Sequence, residues 1–250
     1  MMHGFKRSAA MTVITASTLL GACTTLPTED PYTLYRQNMP YSILLLPPAN
    51  ESLDVNAPYS WLTTATMPIA EQGYYVFPVA IVDAFMKENG LPNPEDMHAA
   101  PLDKLGEVFG ADAVLYVTLT EFGQKFELLS STTRVNARAS LVDIDTGQEI
   151  WTGALNYADN NNSSAQGSLL GSLINAAITQ VGGTLSDRTH DAAAIANVQL
   201  FTNSRNGLLK GPRHPGFAEQ MAVAAEATDA ADAADAADAA DAADAADAAD

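Results

Sequence analysis

The sequence predicts an α/β (α+β) domain: a mixed sheet, part of it an antiparallel meander, covered by helices. Three observations predict it. Gly73 to Pro78 reads as an aromatic-rich strand that runs straight into a helical pattern, with Val79, Val82 and Met86 at i, i+3 and i+7. A strand feeding an amphipathic helix calls for a sheet that the helix can cover. Ala113 to Thr120 alternates, with Ala113, Leu115, Val117 and Leu119 on one face and Val114, Tyr116, Thr118 and Thr120 on the other. Val135, Ala137, Ala139 and Leu141 then alternate with Arg134, Asn136, Arg138 and Ser140. The turn Asp145-Thr146-Gly147-Gln148 follows, and the chain returns along Glu149 to Tyr157.

In chain order, residues 1–22 read as a secretory leader. Lys6 and Arg7 are basic, Ala9 to Leu20 is mostly apolar, and small residues precede Cys23. The apolar run is too short to span a bilayer, which takes roughly 20 residues. Leu20-Gly21-Ala22-Cys23 resembles a bacterial lipobox, at which cleavage falls before the cysteine and acyl chains are attached to it. An ordinary signal peptide with an incidental cysteine is the alternative. Cys23 is the only cysteine, so no disulfide forms within one molecule. A single acyl chain holds a protein only reversibly and several hold it durably, so acylated Cys23 is the expected membrane partner. Thr24 is not aspartate, which by resemblance to enterobacterial sorting favours the outer membrane, with the folded part facing the periplasm.

Residues 23–40 carry Pro27, Pro31 and Pro40 without a clear period and read as a tether. Residues 41–203 form the expected domain. Tyr41 to Leu46 is a buried strand stopped by Pro47-Pro48, and Tyr59 to Ala65 a helix that Pro68 ends or kinks. The Val79 helix stops at Asn89-Gly90, Pro92 to His98 is a loop, and Pro101 opens a helix that Gly110 caps. Phe126 and Leu128 suggest a further strand after a bend at Gly123. Leu169 to Val181 repeats at spacings of three and four, and Asp187 to Leu200 is a last helix with Ile195 and Val198 inward. Residues 204–228 are a C-terminal extension. Residues 229–250 repeat Asp-Ala-Ala, a step of three that walks aspartate around a helix and leaves no apolar stripe, so this is a solvated tail.

The charge balance narrows the partners. Net charge is −18, and −20 without Lys6 and Arg7, with ten basic residues against thirty acidic ones. Such a surface repels phosphate backbones, so nucleic acid is not expected. No catalytic, cofactor or metal site is legible. His98, His190 and His214 lie far apart in sequence, there is no Gly-x-Ser-x-Gly, and Gly167 and Gly171 lack the Lys-Ser/Thr ending of a phosphate loop. Asp143 with Asp145 reads as turn chemistry, and Glu95 with Asp96 as a second carboxylate pair. Asn162-Ser163-Ser164 matches a glycosylation sequon that has little meaning in a bacterium. Tyr74, Tyr75 and Phe77 fit either a core strand or a docking edge.

The lipobox, the Pro47-Pro48 stop, the run Pro68-Ile69-Ala70-Glu71-Gln72-Gly73-Tyr74-Tyr75-Val76-Phe77-Pro78 and the Gly207 to Pro215 segment together carry a resemblance. The chain resembles a family of proteobacterial lipoproteins of unknown function that includes a neisserial surface antigen. That resemblance implies a fold similar to the periplasmic domain of CsgG and the TolB amino-terminal domain. It also implies a gene neighbour similar to CsgG, the curli secretion lipoprotein, and no catalytic residue. Gly110 to Val117 followed by Leu141 to Trp151, with its Asp-x-x-Thr-Gly turn, is similar to the sheet of those domains. The function so implied is a non-enzymatic accessory or assembly component of a CsgG-like export or envelope complex. A periplasmic lipoprotein that binds a ligand or peptidoglycan, with Tyr74 and Trp151 lining a deep pocket, is the alternative.

Overall fold

A computed structural model describes residues 30–127, 130–160, 188–230 and 233. Helix α1 (Thr33–Gln37) is followed by strands β1 (Ser42–Leu45) and β2 (Ala49–Asn50), then α2 (Ala57–Glu71) and β3 (Tyr75–Val76). Next come α3 (Val79–Glu88), α4 (Pro94–His98), α5 (Leu102–Phe109) and the long strands β4 (Ala113–Glu127), β5 (Ser130–Asp143) and β6 (Glu149–Asn160). Helix α6 spans Arg188–Thr202 and a final helix, α7, spans 217–230.

These strands make one six-stranded sheet in the order β3-β1-β4-β5-β6, with β2 also paired to β4. Strand β1 is parallel to both β3 and β4, whereas β4, β5 and β6 form the antiparallel meander. Pro47 and Pro48 have no N–H, so the β1 ladder stops there, and β2 resumes it against Thr118 and Leu119 of β4. The β1–β4 register is pinned by Asp112, whose Oδ2 accepts from the Tyr41 and Ser42 N–H groups at 3.0 and 2.7 Å and from the Ser42 hydroxyl at 2.7 Å.

The alternation read from β4 separates two cores. Ile43, Leu45, Leu115, Val117 and Leu119 face α2 and α6, meeting Trp61, Leu62, Ile69, Ala193, Leu200 and Phe201. Leu44, Leu46 and Val114 face the other way, onto Val82 and Met86 of α3, Met97 of α4 and Leu105 of α5. Ile43 to Leu46 is therefore buried on both sides, which is why this part of the strand reads as a continuous apolar run. A register shift between Leu119 and Glu121 re-phases β4, so that Phe122, opposite Val135, takes the next buried position.

Several elements differ from the sequence reading. Helix α2 runs through Pro68: the ring removes one N–H, but Trp61, Leu62, Ala65 and Ile69 hold the helix onto the sheet and Gln72 N–H still reaches the Pro68 carbonyl at 3.2 Å. The expected loop from Pro92 to His98 contains α4, because Asn93 caps it by accepting from Asp96 N–H at 2.9 Å. Strand β4 carries on past Gly123 to Glu127 instead of bending into a new strand. In α6 the inward line is Ala192, Ala193, Ala196, Asn197, Leu200 and Phe201, with Ile195 and Val198 only half-buried on its flank. The described part of the expected tether, from residue 30, holds α1, whose Tyr35 is fully buried. The expected 204–228 extension contains most of α7, which runs on into the first residues of the Asp-Ala-Ala repeat. The leader, the Leu169 to Val181 pattern, the sequon and most of the repeat lie outside the described residues. Gly90, Gly110 and Gly147 take positive φ, as expected, at the ends of α3 and α5 and in the β5–β6 turn.

Gly73 decides how the chain closes on itself. Its φ is +93°, and a Cβ there would sit 2.4 Å from the backbone nitrogen of His214. The turn at His214 and the chain just past α2 therefore meet backbone to backbone. Gly90 has a similar φ of +87° with nothing within 4 Å of an added Cβ. Gly73→Ala is expected to cost about 2–3 kcal/mol and Gly90→Ala about 1 kcal/mol, since only the first adds a collision to the strained backbone. Urea unfolding of the two variants with unchanged slope checks the difference.

Candidate functional site

The region from residue 206 to 213 is a strap laid across one end of the sheet, and aromatic donors hold its carbonyls. Trp151 Nε1 donates to Asn206 at 3.0 Å, the Tyr32 hydroxyl to Gly207 at 2.7 Å and the Tyr74 hydroxyl to Leu209 at 2.6 Å. Gly211 N–H reaches the Gln72 carbonyl at 2.7 Å, and Leu208 N–H the Phe201 carbonyl at 2.9 Å. The Tyr35 hydroxyl donates to that of Tyr74 at 2.8 Å, so two buried phenols stand in series. Burial pushes both phenol pKa values up, which keeps them neutral and able to donate.

The strap places Arg213 over the edge strand. Its guanidinium lies 5.9 Å from the centre of the Tyr75 ring, and its Nη1 donates to the Tyr41 carbonyl at 3.3 Å. Tyr74 points into the core and Tyr75, next along β3, points out, 46 % exposed. Between α2 and β3 lies an open groove of about 770 Å³, lined by Thr66, Met67, Ala70, the Tyr74 to Ala80 segment and Arg213. The lining holds one cation and no carboxylate.

From Tyr75 a row of rings crosses to the helices of the second core. Tyr75 meets Phe77 edge-on at 5.1 Å, Phe77 meets Phe109 at 6.3 Å, and Phe109 meets Phe85 at 5.4 Å. Ile81 and Val108 flank this row, 66 % and 52 % exposed. Ile81 and Phe85 share the apolar run of α3 with Val82 and Met86, as Val108 shares that of α5 with Leu105, so the sequence alone favours the covered side for all three. The structure turns them outward because Val82, Met86 and Leu105 already fill the contact with the sheet. The available signal was breadth. Seven of the ten residues of α3 are apolar, more than one stripe needs.

The other singled-out residues are structural. Asp143 Oδ1 accepts from Thr146 N–H at 2.8 Å and from its hydroxyl at 2.6 Å, closing the hairpin turn, while Asp145 is exposed. Glu95 and Asp96 sit in the first turn of α4. His214 Nδ1 accepts from Gly216 N–H at 2.9 Å, and His190 is half-buried in α6. Among the described residues no cluster of His, Cys, Asp and Glu is placed to hold a metal ion, and no helix is long and apolar enough to cross a membrane. Trp151 lies in the core under the strap and does not line the groove with Tyr74. Cys23 lies outside the described residues.

The sequence profile of the GNA1162-like lipoproteins matches residues 30–213, from α1 to the end of the strap. The chain belongs to the GNA1162-like lipoprotein family. A protein of serogroup B Neisseria meningitidis named "Putative lipoprotein NMB1124/NMB1162" is 43 % identical over 196 residues, 78 % of this chain and 91 % of that one. The crystal structure of lipoprotein GNA1162 from N. meningitidis is 45 % identical with a TM-score of 0.49, covering 58 % of this chain and all of that one. The LpoB C-terminal domain of Escherichia coli is 17 % identical with a TM-score of 0.34, covering 48 % of this chain and 85 % of that domain.

His98 gives the region a pH response. Its Nε2 lies 2.9 Å from the Pro47 carbonyl, its ring meets Tyr116 edge-on, and burial pulls its pKa below the ordinary 6.5, opposed by the Pro47 bond and by Glu95. A folded-state pKa below the unfolded one means that the unfolded chain binds the proton first. Stability from this group is thus complete above about pH 6.5 and is lost as pH falls toward the folded value. Unfolding free energies between pH 7 and pH 5 are expected to decline less steeply in His98→Gln than in the parent chain.

Proposed function

We propose that this member of the GNA1162-like family is an outer-membrane lipoprotein, acylated at Cys23 after removal of residues 1–22. Its periplasm-facing α/β domain serves, without catalysis, as an accessory or assembly component of a CsgG-like export or envelope complex. The observation that carries the reading is the exposed face of Ile81, Phe85 and Val108 over the Phe77–Phe109 rings. Aliphatic and aromatic side chains grouped on a folded surface are the usual mark of a protein contact. The groove beside β3 is open rather than deep, and Trp151 is absent from its lining, so the geometry favours surface docking over enclosure of a small ligand.

Two experiments test the two halves separately. Globomycin treatment, or Cys23→Ala, is expected to leave a longer precursor and, for the variant, to move the protein out of the outer-membrane fraction; an unchanged mature size and location under both removes the anchor. After mild detergent extraction the parent chain is expected to co-purify with a CsgG-like lipoprotein. Ile81→Glu with Phe85→Glu is expected to reduce that recovery at least about tenfold with acylation intact. Recovery of the parent chain without any envelope partner removes the assembly role.

A further inference from the structure

The groove beside Arg213 and the loop before α2 carry opposite charge, and each presents apolar side chains. Leu53 is fully exposed and Val55 is 80 % exposed, on either side of Asp54. Such a loop would normally bend to hide one of them, but here hydrogen bonds fix it. Asn50 Nδ2 donates to the Asp54 carbonyl at 2.9 Å, Ser52 N–H and hydroxyl both donate to Asn50 Oδ1 at 3.0 and 2.7 Å, and Asn56 N–H donates to Asp54 Oδ1 at 2.8 Å. Ala57 N–H returns to the Asp54 carbonyl at 3.1 Å. The two aliphatic side chains are therefore presented in a preorganised form, so little ordering cost is left for a contact to offset. Asp54 Oδ2 takes none of these bonds.

The groove offers the converse. Met67, 65 % exposed, and the Tyr75 ring give it apolar walls, and Arg213, which forms no ion pair among the described residues, is its only charged lining residue. Loop and groove cannot meet within one molecule. The loop immediately precedes Ala57 at the start of α2, and the groove is lined by Thr66, Met67 and Ala70 near its far end. A rigid helix of 15 residues, about 20 Å long, holds them apart.

We propose that the Leu53–Val55 loop of one copy docks in the groove of a second copy, with Asp54 facing Arg213. The contact joins two different surfaces, so copies add head to tail, closing into a ring or extending in a row. The groove adjoins the Ile81–Phe85 face assigned above to an envelope partner, with Phe77 common to both, and the loop enters it from the Met67 and Arg213 side. In an acidic chain of net charge −18, whose copies repel one another in general, an acid-free groove with one arginine is where an acidic loop meets the least repulsion.

Sedimentation of the full membrane-extracted chain in density-matched detergent tests this. The parent chain is expected to form concentration-dependent assemblies. Leu53→Asp and Met67→Glu, both at exposed positions, are each expected to weaken association at least about tenfold without altering the thermal melt. Mixed in equal amounts they are expected to give a one-to-one dimer and nothing larger, because each retains one live surface. Asp54→Arg and Arg213→Glu are expected to block association singly and to restore it when combined in one chain, which decides the matter even if an apolar-site variant unfolds. A parent chain that stays monomeric, a mixture that stays monomeric, or charge reversals without effect overturns the proposal. So does a monomeric parent whose envelope partner is lost on Met67→Glu, because the groove then takes that partner instead.

Discussion

The start of β4 is apolar on both faces, and the rest of the architecture answers to that. Leu115 and Val117 point one way and Val114 the other, so neither side can be left to water. At roughly 25 cal/mol per Å² of apolar surface removed from water, helices on both faces are the stable arrangement. Helices α2 and α6 supply one cover, and α3, α4 and α5 the other. Because β1 and β3 are parallel to β4, each return must cross over, and those crossovers are α2 on one face and α3, α4 and α5 on the other, while α6 joins the first cover after the last strand. Further along, β5 and β6 pair antiparallel through a tight turn and bring no helix between them. Arg138, Ser140 and Thr152 therefore help line an open groove on the outer face of the meander.

A sheet built this way ends, on the β1 side, in the short edge strand β3, and its treatment sets the candidate site. Edge strands expose unpaired backbone and are usually kept short or blocked. Here β3 is two residues long, Pro78 follows one residue further on, and the strap binds the Gln72 carbonyl just upstream. The strap has no secondary structure of its own to satisfy its carbonyls, and a buried carbonyl without a donor is costly. Trp151, Tyr32 and Tyr74 serve as those donors from three separate parts of the chain. The same clamp that protects the edge fixes Arg213 over Tyr75, so core packing and surface chemistry are parts of one construction.

Much of the fold was legible because burial imposes periods that sequence preserves. The alternation of β4, the Asp143 to Gln148 turn and the helical spacing of α3 all appear where expected, since each reflects a local repeat. The misreadings share a different cause. Pro68 is tolerated by long-range packing of α2, α1 is ordered by a bond between Tyr35 and Tyr74 that are 39 residues apart, and the strap by donors up to 175 residues away. No local pattern encodes such partners. The candidate site was half legible. Tyr75 and Phe77 were marked as a core strand or a docking edge, but Ile81 and Phe85 carry the same helical spacing whether they face the sheet or water. Only the filled positions of Val82 and Met86 show which.

Membrane attachment changes what such a surface needs to achieve. Two proteins free in solution must recover the cost of lost translation and rotation, several kcal/mol, before a contact persists. Chains held to one bilayer by acyl groups have already given up most of that freedom, and their effective concentration rises to the millimolar range typical of short linkers. A patch of a few aliphatic and aromatic side chains that holds its partner in solution is then occupied more fully at the membrane. The exposed apolar residues coexist with a strongly acidic surface in the same sense: like charge disfavours non-specific contacts between copies and leaves association to patches that are locally complementary.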